Sequence, residues 1–309
     1  MLYSKQFINS ATAEWVVFVH GAGGSSSIWF KQLREFKEHF NILLVDLRGH
    51  GRSKDLLKEY LQETYTFEDV SRDILEVLDH RKIKAAHFIG ISLGCIIIRT
   101  LGELQPDRIK SMILGGAITR LTIRSKVLMH AGNTLKRVMP YMWLYKLLAW
   151  IIMPKKRHQQ SRLLFIEEAR QLARKEFLRW TRLTGELNPL LRYFHEKELA
   201  IPTLYIMGEE DHMFLPPVRV IVKQHQLAQL EVVANSGHVV NVDQPEVFNS
   251  LSIRFIKAAS GSNQPPKGEL LSSPFGGRGL SFGWFTCFTR IWCSCSRSEL
   301  TRTRSAFTK

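Results

Sequence analysis

The chain has 309 residues, 45% of them hydrophobic and 10% aromatic, enough to bury one large core or two ordinary ones and too apolar for wholesale disorder. Its 20 Gly, 11 Pro and 4 Cys fit neither a collagen-like repeat nor a disulfide scaffold. The net charge of +15 is unevenly placed: residues 119–198 hold 17 Lys and Arg against 6 Asp and Glu, residues 261–309 hold 7 against 2, and the remainder holds 19 against 20.

Residues 1–9 show no basic segment leading into an apolar run, so no secretory signal is visible. Residues 2–8 can supply one strand. Residues 15–19, 42–45, 87–91 and 112–114 are short apolar runs bounded by Gly, Asp or charge, as buried parallel strands are. Residues 67–80 put Phe67, Val70, Ile74, Val77 and Leu78 on one helical face, and Thr66 with Asp69 predicts a capping box. A further helix is predicted over 93–104. The basic segment 119–198 is helical by pattern and without strand signals. Within it, residues 141–153 are nearly all apolar, with Lys146 as the one charge; this is too short for a membrane span of ~20 residues. Strand and helix patterns return at 203–207, near 218–226, at 231–233 and at 245–259. From Gly261 onward, 6 Gly, 8 Ser and 3 Pro in 49 residues read as a disordered tail.

Strands alternating with helices predict an α/β fold, a mostly parallel, doubly wound sheet. Residues 1–118 and 199–260 form its core, 119–198 an inserted basic helical cap, and 261–309 the tail. Three of the four cysteines (Cys287, Cys293, Cys295) lie in that tail, a usage that fits a reducing compartment and a cytoplasmic protein. The basic segment has no zinc-ligand spacing and no RNP-like motif, so no specific nucleic acid is expected. No metal or cofactor is expected either. Cys293 and Cys295 are isolated, and the loop 20–27 lacks the third glycine of a dinucleotide fingerprint and the lysine of a P-loop.

The strongest local signal is Gly90-Ile91-Ser92-Leu93-Gly94, between a strand and a helix pattern. A serine on such a sharp turn projects above the sheet, and the helix N-terminus behind it favours developing negative charge. Taken alone, the motif also fits a glycine-flanked turn with an incidental serine. Other chemistry-bearing segments follow other strands: His20-Gly21-Ala22-Gly23-Gly24, residues 46–53, Gly208-Glu209-Glu210-Asp211-His212, and Ser236-Gly237-His238. Each falls at the C-terminal end of a strand, where open α/β sheets build their sites.

Together and in this order, these segments resemble the α/β-hydrolase family over residues 15–259. The resemblance implies that Ser92 is the nucleophile, His238 its base, and Asp211 the carboxylate that orients the base. It further implies an oxyanion hole from the backbone N–H groups of Leu93 and Ala22, although Gly23 and Gly24 stand where relatives carry a proline. His20 is expected to be structural beneath that loop, Asp243 to be a helix-entry residue, and Cys95 to be a small packing residue. Relatives usually carry two strands before the first one seen clearly here. The first is expected to be missing or very short, leaving a seven-stranded sheet.

A serine nucleophile points to acyl transfer to water. A carboxylic ester is the default small-molecule substrate; thioester cleavage, C–C bond hydrolysis and acyl-elimination chemistry are close alternatives. The apolar cap helix suits a hydrophobic acyl or aromatic group, with Trp143, Leu147 and Trp150 as expected substrate contacts; plain packing of the cap is the other reading. Flanked by Lys136, Arg137, Lys155, Lys156 and Arg157, the same helix could instead lie against an anionic membrane. Arg170, Arg174 and Arg179 read as a solvated helix face. Alternatives of another class are a non-catalytic small-molecule receptor and a membrane or nucleic-acid adaptor.

Overall fold

The computed structural model describes residues 1–54, 64–135, 139–172, 174–183, 185 and 187–261. The expected disordered tail therefore lies, from residue 262, outside the described residues, as do Lys136 and Arg137. Seven strands form one sheet: β1 (Ser4–Phe7), β2 (Trp15–Val19), β3 (Asn41–Val45), β4 (Ala86–Ile91), β5 (Ile109–Gly115), β6 (Thr203–Gly208) and β7 (Ala228–Val233). Their order is β1-β3-β2-β4-β5-β6-β7, with β1 antiparallel to β3 and every other pair parallel. This is the anticipated seven-stranded sheet, and its first strand is four residues long.

Strand β2 shows why the sheet is covered on both faces. Val17 and Val19 join one apolar cluster, while Val16 and Phe18 join another with Trp29, Phe36 and Phe248. Alternate strand residues point to opposite faces, so a run that is apolar at every position needs helices on both sides. The first face is covered by α2 (Phe67–His80) and α3 (Leu93–Leu104), the second by α1 (Leu33–Phe36) and the last helix. Helix α2 starts as its sequence predicts. Thr66 Oγ1 accepts from Asp69 N–H at 3.0 Å, and Asp69 Oδ2 accepts from Thr66 N–H at 3.1 Å, a cap worth about 1 kcal/mol.

Among the described residues, five α-helices lie between β5 and β6: α4 (Ile123–Leu135), α5 (Tyr141–Ile152), α6 (Gln159–Arg170), α7 (Arg174–Leu183) and α8 (Leu187–Glu196). The last of these is tied to the sheet, because Leu187, Leu191 and Phe194 join the cluster that contains Val17 and Tyr205. Helices α9 (Leu215–Gln224), α10 (Val240–Asp243) and α11 (Pro245–Gly261) complete the described chain.

Some local expectations shift. Strand β5 starts at Ile109: Lys110, which breaks the apolar run, is exposed, pairs with Glu14 at 2.6 Å and falls at a register shift between Ile109 and Ser111. Strand β7 starts at Ala228; as an edge strand it is only half-buried and shows little apolar signal. Arg179 is not on a solvated face. It is 4% exposed and donates to Glu176 at 2.5 Å and to Tyr65 Oη at 3.0 Å.

Candidate active site

The order of the sheet places the loops after β2 and β4 side by side, since β2 is flanked by β3 and β4. At the end of β4, Ser92 takes φ 54 and ψ −117, a backbone conformation costly for any side-chain-bearing residue. Its glycine neighbours explain how the turn closes. A Cβ on Gly94 would run into the Val19 and His20 carbonyls, and one on Gly90 would meet Ile98 at 2.6 Å. The turn is held by Ser92 N–H donating to Gly115 O at 2.9 Å and Cys95 N–H donating to Ser92 O at 3.1 Å.

Ser92 Oγ lies 2.9 Å from His238 Nε2, and His238 Nδ1 lies 2.8 Å from Asp211 Oδ2. A carboxylate only accepts, so Nδ1 carries the proton and Nε2 is left to accept from the serine hydroxyl. Asp211 is fully buried, its other oxygen accepting from Phe214 N–H at 3.1 Å, and His238 is 6% exposed against the Phe214 ring. The loops that bear Asp211 and His238 are joined by Glu210 N–H donating to Ser236 O at 2.9 Å. Beneath them, Gly208 leaves no room for a Cβ next to the Ser236 and Gly237 carbonyls.

The loop after β2 passes against the serine: a Cβ on Gly21 would lie 3.2 Å from that of Ser92. Among the described residues, neither Leu93 N–H nor Ala22 N–H has an acceptor. Two buried histidines hold this loop from below. His20 Nε2 accepts from Leu47 N–H at 3.0 Å and its Nδ1 donates to Gly21 O at 2.8 Å. His50 Nε2 accepts from Gly23 N–H at 3.0 Å and its Nδ1 donates to Arg48 O at 2.8 Å. Each ring both donates and accepts, as only a neutral imidazole can. Burial pushes both below the ordinary histidine range, His50 to about 3, with His20 and Lys54 adding to the effect there.

A cavity of about 280 Å³ opens above Ser92, Leu93, Ala22 and His238. Its walls include Leu128, Leu144, Leu148, Ile152, Phe165 and Met213. No Lys or Arg is among its described lining residues, and its one carboxylate, Glu168, accepts from Ser27 Oγ at 2.7 Å. The expected cap contacts are corrected here. Trp143, Leu147 and Trp150 are 65%, 41% and 55% exposed and lie outside the cavity; the opposite face of α5, with Leu144, Tyr145, Leu148 and Ile152, lines it. Because α5 is apolar all round, its sequence does not tell which face turns inward.

Several residues around the site were missed. Glu210 binds the segment between β5 and β6 through Lys155 at 2.8 Å, His158 Nε2 at 2.8 Å and Arg157 at 3.6 Å. Burial alone would raise the Glu210 carboxyl, but the hydrogen bonds from Lys155 and His158 overcome it and hold it below the usual range. Fully buried His158 presses on the His238 loop, where a Cβ on Gly237 would come 2.7 Å from its ring. Asp243 is no helix-entry residue. It ends α10, accepts from Gly237 N–H at 2.8 Å and takes a hydrogen bond from Ser161 of the cap. No sequence spacing signals these ties, since His158 ends a basic run whose charge reads as facing an anionic membrane and not the interior.

Among the described residues no group of three or more His, Cys, Asp or Glu could hold a metal ion, and no helix is long and apolar enough to cross a membrane. Residues 16–251 match the model of a family described as the alpha/beta hydrolase family. A putative carbamate hydrolase RutD from Acinetobacter baylyi is 28% identical over 266 residues, covering 80% of this chain and 95% of that protein. The 3-oxoadipate enol-lactonase 1 of the same organism is 27% identical over 264 residues, covering 82% and 93%. Among solved structures, the enol-lactonase from Burkholderia xenovorans superposes with a TM-score of 0.69 at 20% identity, covering 83% of this chain and 96% of that one. A thermophilic esterase from Thermogutta terrifontis gives 0.66 at 18% identity, covering 84% and 94%.

Proposed function

The chain belongs to the alpha/beta hydrolase family, and from that premise we propose that it is a serine hydrolase cleaving a carboxylic ester through an acyl-enzyme on Ser92. One observation carries the reading: an unbroken hydrogen-bonded line from Asp211 through His238 to Ser92 faces an apolar cavity. His238 Nε2 takes the hydroxyl proton as Ser92 Oγ bonds to the ester carbonyl carbon, whose oxygen becomes an oxyanion held by Leu93 N–H and Ala22 N–H. Asp211 stabilises the imidazolium. Collapse breaks the bond to the alcohol oxygen, which leaves with the proton from His238. Water then attacks the acyl-enzyme by the same base, releasing the acid. Three side chains, two backbone N–H groups and water carry every step.

A cavity with largely hydrocarbon walls and no Lys or Arg among its described lining residues favours an uncharged acyl or aromatic group over an anionic one. Nitrophenyl esters of graded acyl length, alongside a lactone and a carbamate, test the reading with Ser92→Ala as blank. Turnover lost in the variant supports the acyl-enzyme; turnover retained, or tight binding without product from any of these, would reject it in favour of a different nucleophile or a receptor. The same proposal places the chain in the cytoplasm, in peripheral contact with anionic membrane through the basic cap. The described residues hold one cysteine, Cys95, a buried free thiol whose pKa burial raises. Cell fractionation that recovered the chain from the extracellular medium would exclude this placement.

A further inference from the structure

We infer that the outward face of α5 is a docking surface for an anionic lipid bilayer. Trp143, Leu147 and Trp150 stand at i, i+4 and i+7, so they form one stripe, and all three are exposed. Single exposed apolar residues are ordinary; two tryptophans and a leucine in line on one helix are not. Tryptophan is favoured where hydrocarbon meets headgroups, because its ring is apolar and its N–H is polar. Both rings are paired with cations. The Lys146 ammonium lies 5.6 Å from the Trp143 ring, and the Arg162 guanidinium lies 3.8 Å over Trp150. Arg162 is itself anchored to Met153 O at 2.5 Å, so Trp150 is backed by a fixed group.

Charge decides among the occupants of this face. Lys146 and Lys156 are exposed and have no carboxylate partner among the described residues, whereas Lys155 and Arg157 share Glu210. A second copy docked by the same patch would bring these lysines against their own duplicates. The tail from residue 262 carries 7 Lys and Arg against 2 Asp and Glu, so its sequence offers no charge complement to this face. An anionic bilayer supplies the complementary sign together with an apolar layer for the stripe. The opposite face of the same helix lines the cavity above Ser92, so one helix of ~10 Å diameter would separate bilayer from pocket. The surface stands independently of the hydrolase reading; that the bilayer delivers the acyl substrate rests on it.

The test is co-flotation of the full chain with vesicles of phosphatidylcholine, with and without phosphatidylserine, at low and at high salt. Binding is expected to the anionic vesicles at low salt, weakened at least about tenfold by salt, by omission of phosphatidylserine and by the Lys146→Glu/Lys156→Glu pair. The Trp143→Ser/Trp150→Ser pair should weaken it by a similar factor while turnover of a soluble short-chain nitrophenyl ester stays unchanged, since neither ring reaches the cavity. That activity also reports folding, and it separates failure of the surface from failure of the hydrolase reading. Absence of vesicle binding, binding undiminished in the tryptophan pair, or a concentration-dependent dimer in sedimentation that this pair dissolves would each overturn the proposal.

Discussion

Mild acid should destabilise this fold well before its carboxylates titrate, because His20, His50 and His87 are buried at 0–1% exposure. Burial pushes all three below the ordinary histidine range, His50 to about 3 and His87 to about 4. At His87 burial dominates over Glu14, which pulls the other way, and Nδ1 is engaged with Ser111 Oγ at 2.8 Å. Unfolded histidine titrates near pH 6.5, so below that value the unfolded chain takes up a proton that the folded chain refuses. The stability these groups contribute is therefore complete above about pH 6.5 and falls as the pH drops toward the folded values. From about pH 6.5 to about pH 5, at about 1.4 kcal/mol per unit, His50 and His87 each withdraw about 2 kcal/mol, and His20 adds with the same sign. Against a typical total of about 5–15 kcal/mol that is a large share. Urea unfolding followed by tryptophan fluorescence at about pH 7.5 and about pH 5 measures it, and His87→Gln should remove about 2 kcal/mol of the pH dependence. Midpoints that coincide at the two pH values with equal slopes would refute the reasoning.

Asp211→Asn keeps the shape but allows the wrong His238 tautomer, so kcat should fall about a thousandfold to ten-thousandfold with the melting temperature little changed; a loss under about tenfold would remove Asp211 from its role. Asp243→Ala leaves Gly237 N–H and the Ser161 hydroxyl without their acceptor. It should cost about 1–3 kcal/mol of stability and lower kcat, with Asp243→Asn recovering part of both; an unaltered unfolding midpoint would argue that the tie is slack.

What was legible in the sequence was what local chemistry encodes. The capping box of α2 needs only Thr66 and Asp69, and the elbow needs Ser92 between two glycines, so both were found within a residue of their places. Ser92, Asp211 and His238 were named from the family resemblance; that they meet follows from strand order, since each comes after a strand and parallel strands bring their C-terminal ends to one edge. Phase and distance were not legible. The inward face of α5 is chosen by what packs beneath it, and Arg179 is buried because Glu176 and Tyr65 receive it, partners in the fold rather than in a pattern. Asp243 and His158 act across 6 and 52 residues respectively, on Gly237 and Glu210, and no periodicity links such positions.

The ties from the roof meet the reacting groups from behind. Glu210 immediately precedes Asp211, and Asp243 holds the N–H next to His238, while their partners His158 and Ser161 belong to the segment that covers Ser92. Lifting that edge would strip support from both loops at once, so an uncovered serine would be a poorly armed one. Cover and loops are thus fastened by the same few hydrogen bonds, and neither can shift without the other.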